Sequence, residues 1–170
     1  MAQQYFVLGI GGTGMRCIES LIHLCAMGMF DDTDIHLLAL DTDKDNGNFA
    51  RLKEVKEAYV KAKGTDASLR TALNETFFSA NINYYEFSPN YEVKSDFMSV
   101  FNYGDTKFNN PEQTAIADLV LTKNVETFNL RHGYRAQTHL GSMMMYHSIL
   151  EAARSNKNSE LKTYLQKLIQ

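Results

Sequence analysis

Near its start the chain reads Tyr5-Phe6-Val7-Leu8-Gly9-Ile10-Gly11-Gly12-Thr13-Gly14-Met15-Arg16. The unbroken apolar run over residues 5–8 is typical of a strand that is covered on both faces, as parallel strands in α/β sheets are. After the glycines, apolar residues recur at the spacing of a helix, at Ile18, Leu21, Ile22, Cys25 and Met29. The stretch therefore predicts a strand, a glycine turn and a helix in direct succession.

The glycines of this turn have the spacing of a phosphate-binding loop. Gly9, Gly11 and Gly14 fit G-x-G-x-x-G, and glycines let a ligand approach the main chain because no Cβ stands in the way. The first N–H groups of a helix have no partner within it and carry partial positive charge, so a di- or triphosphate can be held there. The structural alternative is a tight strand-to-helix turn without a ligand. The candidate phosphate-binding residues are Gly9, Gly11, Gly12, Thr13, Gly14, Met15 and Arg16.

A second apolar run, residues 35–40, stops at Asp41-Thr42-Asp43. Acidic residues at the carboxyl end of a second parallel strand lie beside the first glycine loop, where they accept hydrogen bonds from a ribose hydroxyl or hold a metal-bound water. Simple capping of the loop is the structural alternative for Asp41 and Asp43. Asp41, Thr42 and Asp43 are therefore candidate nucleotide-binding residues.

Composition is that of one ordinary globular domain. The chain has 170 residues, of which 44% are hydrophobic and 22% are charged, and a net charge of −3 gives no electrostatic reason to expect nucleic acid. No run approaches the ~18 apolar residues of a membrane span, and the polar start is not a signal peptide. We expect a single domain over residues 1–170, located in the cytoplasm, with no membrane contact.

The rest of the chain predicts further elements of both kinds. An amphipathic pattern predicts a surface helix over residues 49–64, and aromatic residues favour a strand over residues 82–87. Asp66 is a candidate cap for a further short helix, and Asn110-Pro111 is a favourable helix start that predicts a helix over residues 110–124. Two more helices are predicted, one with its apolar stripe over residues 145–153 and a final one over residues 160–169.

Three pieces together resemble the tubulin and FtsZ superfamily, and the bacterial tubulin-like proteins in particular. The first is the glycine turn, and the second is Leu38-Ala39-Leu40-Asp41-Thr42-Asp43, which is similar to the Asn-Thr-Asp that ends the second strand of FtsZ. The third is Gly133-Tyr134-Arg135-Ala136-Gln137-Thr138-His139-Leu140-Gly141, which resembles the loop that faces the terminal phosphates in that family. The resemblance covers residues 5–43 and 131–153, in the family's order.

The resemblance implies an α/β, Rossmann-like parallel sheet with helices on both faces. It implies binding of a purine nucleotide, GTP or GDP with Mg²⁺, and self-association into oligomers or filaments, with other protein subunits as further partners. The glycine turn would hold phosphates, Asp43 would serve the metal, and a loop would close over the terminal phosphate through Gly133, Tyr134, Arg135 and Ala136. Hydrolysis of GTP would need groups from a neighbouring subunit, so the sequence leaves enzymatic activity open.

Departures from the family pattern leave alternatives open. Arg16 stands where FtsZ has an asparagine that contacts guanine, so the choice between GTP and ATP stays open. The superfamily's later glycine-rich signature is absent, which predicts an N-terminal fragment with a family-specific insertion over residues 81–129. An NAD- or FAD-binding oxidoreductase would use the same turn, although the acidic residues lie farther from the glycines than the usual ~20 positions. A degenerate scaffold or assembly module is the third alternative.

Overall fold

The structure is a computed structural model that describes residues 3–66, 77–89, 138–154 and 159–170. Its elements, in chain order, are β1 (Gln4–Ile10), α1 (Gly11–Ala26), β2 (Asp34–Leu40), α2 (Asn48–Asp66), β3 (Asn81–Phe87), α3 (Thr138–Arg154) and α4 (Glu160–Ile169). The chain divides into two compact units, Met1–Ser88 with Ala152–Gln170, and Pro89–Glu151. The helix predicted over residues 110–124 lies outside the described residues.

The three strands form a parallel sheet in the order β1-β2-β3. Ile10 is in register with Leu40, and Leu40 with Phe87, so the three strands end at the same edge. We call this the carboxyl edge, and the opposite one the amino edge. Since Gly11 follows β1 and Asp41 follows β2, the glycine turn and the acidic residues leave neighbouring strands at the carboxyl edge.

One face of the sheet packs against α1 and α2. The side chains of a strand alternate between faces, and Ile35, Leu37 and Ala39 of β2 are buried on this one. They form the core with buried residues of the two helices: Met15, Ile18, Ile22, Cys25, Leu52 and Tyr59. Apolar burial here is what positions α1 and its glycine turn on the sheet.

The other face packs against α4, and we call it the α4 face. Leu161 and Tyr164 of α4 are buried, and Tyr164 contacts the rings of Phe6 and Tyr85. Helices therefore lie on both faces, and the predicted α/β fold with a Rossmann-like parallel sheet is confirmed at that level. The final helix has the predicted bounds, and β3 occupies the first seven residues of the predicted insertion, 81–129.

The single domain, the fragment and the insertion stay predictions. Cys25 is buried, which raises the pKa of its thiol to about 11, whereas Cys17 is exposed, and both thiols are free. Within the described ranges no helix has both the length and the apolar character to cross a membrane.

Candidate functional site

The glycine turn changes from strand to helix within two residues. Ile10 is extended, with φ −105° and ψ 123°, and α1 starts at Gly11 with φ +66°. A residue with a side chain would lose roughly 1–2 kcal/mol in that left-handed conformation. A Cβ built on Gly11 would meet no heavy atom of the described residues within 4 Å, so they leave the space beside Gly11 open. Gly11 therefore meets both needs of a ligand-binding turn, an unusual backbone angle and an accessible main chain.

Gly9 and Gly14 have a different role, because they let α1 pack directly on β1. A Cβ on Gly14 would lie 2.8 Å from the carbonyl carbon of Gly9, and one on Gly9 would lie 2.9 Å from the carbonyl oxygen of Gly14. Both distances are shorter than a carbon atom tolerates. The outer glycines of the G-x-G-x-x-G pattern thus fix the helix on the strand, as the third glycine of such loops does.

Among the residues that the structure describes, no side chain caps the N-terminus of α1. Ile10 stands at the N-cap position without a side-chain hydrogen bond to the first turn, and that turn contains no acidic residue. The first N–H groups of a helix lack partners within it, and the macrodipole places partial positive charge on them. The start of α1 is consequently a set of main-chain donors with uncompensated positive charge, next to the open space at Gly11.

The loop after β2 is built by carboxylate and amide side chains that bond its own backbone. Asp41 is buried, and its two oxygens accept from the N–H of Asp43, at 3.1 Å, and from the Nδ2 of Asn46, at 3.2 Å. The Asp43 carboxylate accepts a hydrogen bond from the Asp45 N–H at 3.0 Å. The side-chain oxygen of Asn46 accepts one from the Asn48 N–H, also at 3.0 Å. Asp41 therefore caps its own loop, which is the structural alternative named above, whereas Asp43 lies nearer the surface.

This loop reaches the glycine turn through Asn48, a residue that the sequence analysis missed. The Nδ2 atom of Asn48 lies only 2.7 Å from where a Cβ on Gly12 would be. Asn48 begins α2, so a carboxamide donor is fixed beside the main chain of the turn. The sequence signal that could have identified Asn48 is its position, directly after Asn46-Gly47 and at the start of an amphipathic helix.

Thr42 contributes a second polar group to the carboxyl edge. Its side chain is 4% exposed, and its hydroxyl has no hydrogen-bond partner among the described residues. Buried hydroxyl groups nearly always have a partner, because leaving one without costs roughly 1–3 kcal/mol. The Thr42 hydroxyl therefore has hydrogen-bonding capacity that no described residue uses.

The other candidate residues fall into three groups. Thr13 and Arg16 are exposed on the first turns of α1, and Met15 is buried in the core beneath them. Gly133, Tyr134, Arg135 and Ala136 lie outside the described residues. Across the described ranges, no three His, Cys, Asp or Glu side chains are grouped to hold a metal ion by themselves.

A cleft of about 680 Å³ adjoins the loop at the carboxyl ends of β2 and β3. It opens between the first turns of α2 and α4, and the Glu160 carboxylate accepts a hydrogen bond from the Glu86 N–H in its wall. The residues that line it are Lys44, Phe49, Ala50, Lys53, Glu86, Phe87, Ser88, Ser159 and Glu160. The carboxyl edge thus combines a main-chain donor site with a neighbouring cleft that carries both charges.

Comparison with protein-family models, curated proteins and solved structures finds no match for this chain. The resemblance to the tubulin and FtsZ superfamily accordingly stays a prediction from residues 5–43 and 131–153. The site is interpreted from its own geometry, in which the turn, the Asp41 loop and Asn48 come together.

Proposed function

We propose that this chain binds a purine nucleotide, GTP or GDP with Mg²⁺, and that the phosphates lie on the glycine turn. The observation that carries the proposal is the uncapped N-terminus of α1 beside the open space at Gly11. Phosphate groups are multiply charged acceptors, and a helix N-terminus after a glycine-rich turn supplies both N–H donors and positive potential.

Side chains around the turn support the same ligand. Asn48 holds its carboxamide beside Gly12, and the buried Thr42 hydroxyl has no hydrogen-bond partner in the part of the chain that the structure describes. Thr13 would add a hydroxyl donor and Arg16 a guanidinium, whose planar fork suits phosphate oxygens. Main-chain N–H groups and side chains would then both stabilise the negative charge of the phosphates.

Asp43 is the residue that we propose for Mg²⁺. This metal is usually bound through one or two carboxylates together with substrate phosphates, and it keeps several waters. Asp43 fits that pattern because it lies nearer the surface than Asp41 and belongs to the loop that reaches the turn. A cage made only of protein ligands is not needed for such a site.

We propose further that the chain is part of a tubulin-like protein that self-associates, in which a neighbouring subunit would complete hydrolysis. This proposal rests on the three sequence pieces that resemble the superfamily. The oxidoreductase alternative needs a carboxylate for the ribose 2′-OH. Asp41 is a poor candidate for that bond, because it is buried and both of its oxygens already accept hydrogen bonds.

Calorimetric titration with GTP, ATP, NAD and FAD, each in the presence of Mg²⁺, tests the proposal. We expect GTP to bind most tightly. Binding of NAD or FAD alone would replace the proposal with the oxidoreductase, and binding of none of the four would favour the scaffold. Sedimentation with and without GTP then tests self-association.

A matched pair of variants tests the position of the phosphates. Ile10→Asp places a carboxylate at the residue that precedes α1. This carboxylate would repel phosphate and would itself accept hydrogen bonds from the first turn of the helix. We therefore expect GTP affinity to fall by roughly ten-fold or more. Leu8→Asp adds the same charge two residues earlier on the same strand, at equal exposure (47% against 48%). GTP affinity should survive in Leu8→Asp; equal losses in the two variants would contradict this position.

A further inference from the structure

The α4 face contains a group of four rings, which we call the aromatic cluster: Phe6, His36, Tyr85 and Tyr164. The His36 imidazole stacks on Phe6, with centroids 4.7 Å apart and planes 12° apart, and lies 6.3 Å from Tyr85. Tyr164 meets Phe6 and Tyr85 edge-on, with centroid distances of 5.7 Å and 5.6 Å. Tyr164, the single ring of α4, thus contacts the rings of β1 and β3, and the His36 ring of β2 contacts the same two rings.

His36 is an almost fully buried basic group at the edge of a cleft that Asp34 and Lys167 also line. It is 3% exposed, and its Nδ1 has no hydrogen-bond partner among the described residues. An imidazolium would present N–H donors on both ring nitrogens, and a buried donor without an acceptor is costly. The neutral form is therefore the one that the aromatic cluster stabilises.

Among the described residues, the charged and titratable groups that face His36 come from three elements. The charged groups are Asp34, two residues earlier on β2, and Lys167 on α4. The phenols are those of Tyr85 on β3 and Tyr164 on α4. The titratable residue of β1 is Tyr5, and its ring contacts Phe30 instead. Burial is the largest influence and lowers the pKa of His36, the Lys167 ammonium lowers it further, and Asp34 acts in the opposite direction. The net shift is downward.

We propose that His36 is a proton-operated latch, whose protonation weakens the docking of α4 on the sheet. A positive charge on His36 would be desolvated against Phe6, the ring on which Tyr164 of α4 packs. It would also repel Lys167, which is on the same helix as Tyr164. Both effects act on α4, whereas α1 and α2 pack on the opposite face. The latch goes beyond nucleotide binding and does not depend on it.

The latch would affect the carboxyl edge, because α4 connects the two edges of the sheet. Its first residues, Ser159 and Glu160, line the cleft beside the Asp41 loop, and Lys167 near its other end lines a second cleft at the amino edge. Release of α4 would remove one wall of the first cleft and the hydrogen bond between Glu160 and the Glu86 N–H. Protonation of His36 beneath α4 would thereby alter the cleft that the first residues of this helix line.

The pH range follows from the direction of the shift. A histidine whose pKa is lowered in the folded state binds its proton more strongly in the unfolded or undocked state. Docking is then fully stable above the ordinary histidine pKa of about 6.5, and weakens as the pH falls below it toward the lowered value.

Hydrogen exchange of the α4 amides in the full chain tests the latch, with α1 amides as the internal reference. Between about pH 7.5 and about pH 5.5 we expect α4 protection, corrected for intrinsic exchange, to fall roughly ten-fold relative to α1. His36→Phe keeps a ring in the stack without a titrating group, so its α4 protection should not change with pH. His23→Gln, which removes an exposed histidine of α1, should behave like the wild type.

Constant α4 protection in the wild type, or an equal loss in His36→Phe, would overturn the latch. A second measurement keeps the test valid if His36→Phe does not fold. An NMR titration of the His36 ring proton in the wild type should give a midpoint below about 6.5, at the acid end of the pH range over which α4 protection falls. A midpoint at or above about 6.5 would mean that docking does not disfavour the proton, and would exclude His36.

Discussion

Helices α1 and α4 both begin at the carboxyl edge of the sheet, but their first turns are built in opposite ways. At α4, the Ser159 hydroxyl accepts from the Lys162 N–H at 3.2 Å, and the first turn contains an acidic residue, Glu160. At α1 neither device is present, and glycines take their place. A cap is typically worth about 1 kcal/mol, so α1 forgoes a stabilisation that α4 has. The start of α4 thus serves the fold, whereas in the proposed function the start of α1 leaves its donors to a ligand.

The largest effect that we expect comes from the contact that holds α1 in place. Gly14→Ala would put a Cβ 2.8 Å from the Gly9 backbone, which cannot move aside as a side-chain end can. We expect the free energy of unfolding to fall by about 3 kcal/mol, the upper end of the usual range for overpacking.

The matched control is Gly64→Ala in α2, where a Cβ meets no atom within 4 Å. It should raise the free energy of unfolding by roughly 0.5–1 kcal/mol, since alanine favours a helix. Urea denaturation measures both variants. A Gly14→Ala protein as stable as the wild type would mean that α1 does not rest directly on β1.

A smaller effect is expected at the start of α4. Ser159→Ala removes the acceptor of the Lys162 N–H, and the free energy of unfolding should fall by about 1 kcal/mol. Ser159→Asp is the matched variant, because an aspartate restores a capping oxygen. Full stability of Ser159→Ala in urea would show that the two helix starts differ less than the structure indicates.

The smallest effect concerns the ion pair that joins α1 to α2. Arg51 donates to Glu19 at 2.8 Å, and this hydrogen bond lowers the pKa of the Glu19 carboxyl. Because the Arg51 side chain is 63% exposed, Arg51→Met should leave the urea midpoint of unfolding unchanged within error. A clear loss would mean that α1 depends on this pair as well as on Gly14.

Much of this comparison could be predicted from the sequence, because it depends on local patterns. An apolar run, glycines and a helical stripe are enough to predict β1 and α1, and the final helix has its predicted bounds. The sequence did not predict that Gly11 leaves open space whereas Gly9 and Gly14 contact each other's backbone, because the spacing of glycines does not show which of them lies against main chain.

Two residues show where sequence reasoning ends. Asn48 lies beside Gly12 although 36 positions separate them, and only the pairing of β1 with β2 brings them together. His36 interrupts an apolar strand, but its place in the aromatic cluster depends on which face α4 covers. Contacts between distant segments decide both roles, and periodicity within one segment carries no information about them.

The central claim is that main-chain amides of the glycine turn hold phosphate. A titration with GTP and Mg²⁺ followed in ¹H–¹⁵N correlation spectra tests it most directly, since it reports on each N–H separately. We predict that the largest shifts occur at the amides of Gly11, Gly12, Thr13 and Gly14. Saturable GTP binding that leaves these four amides unshifted and moves others would contradict it.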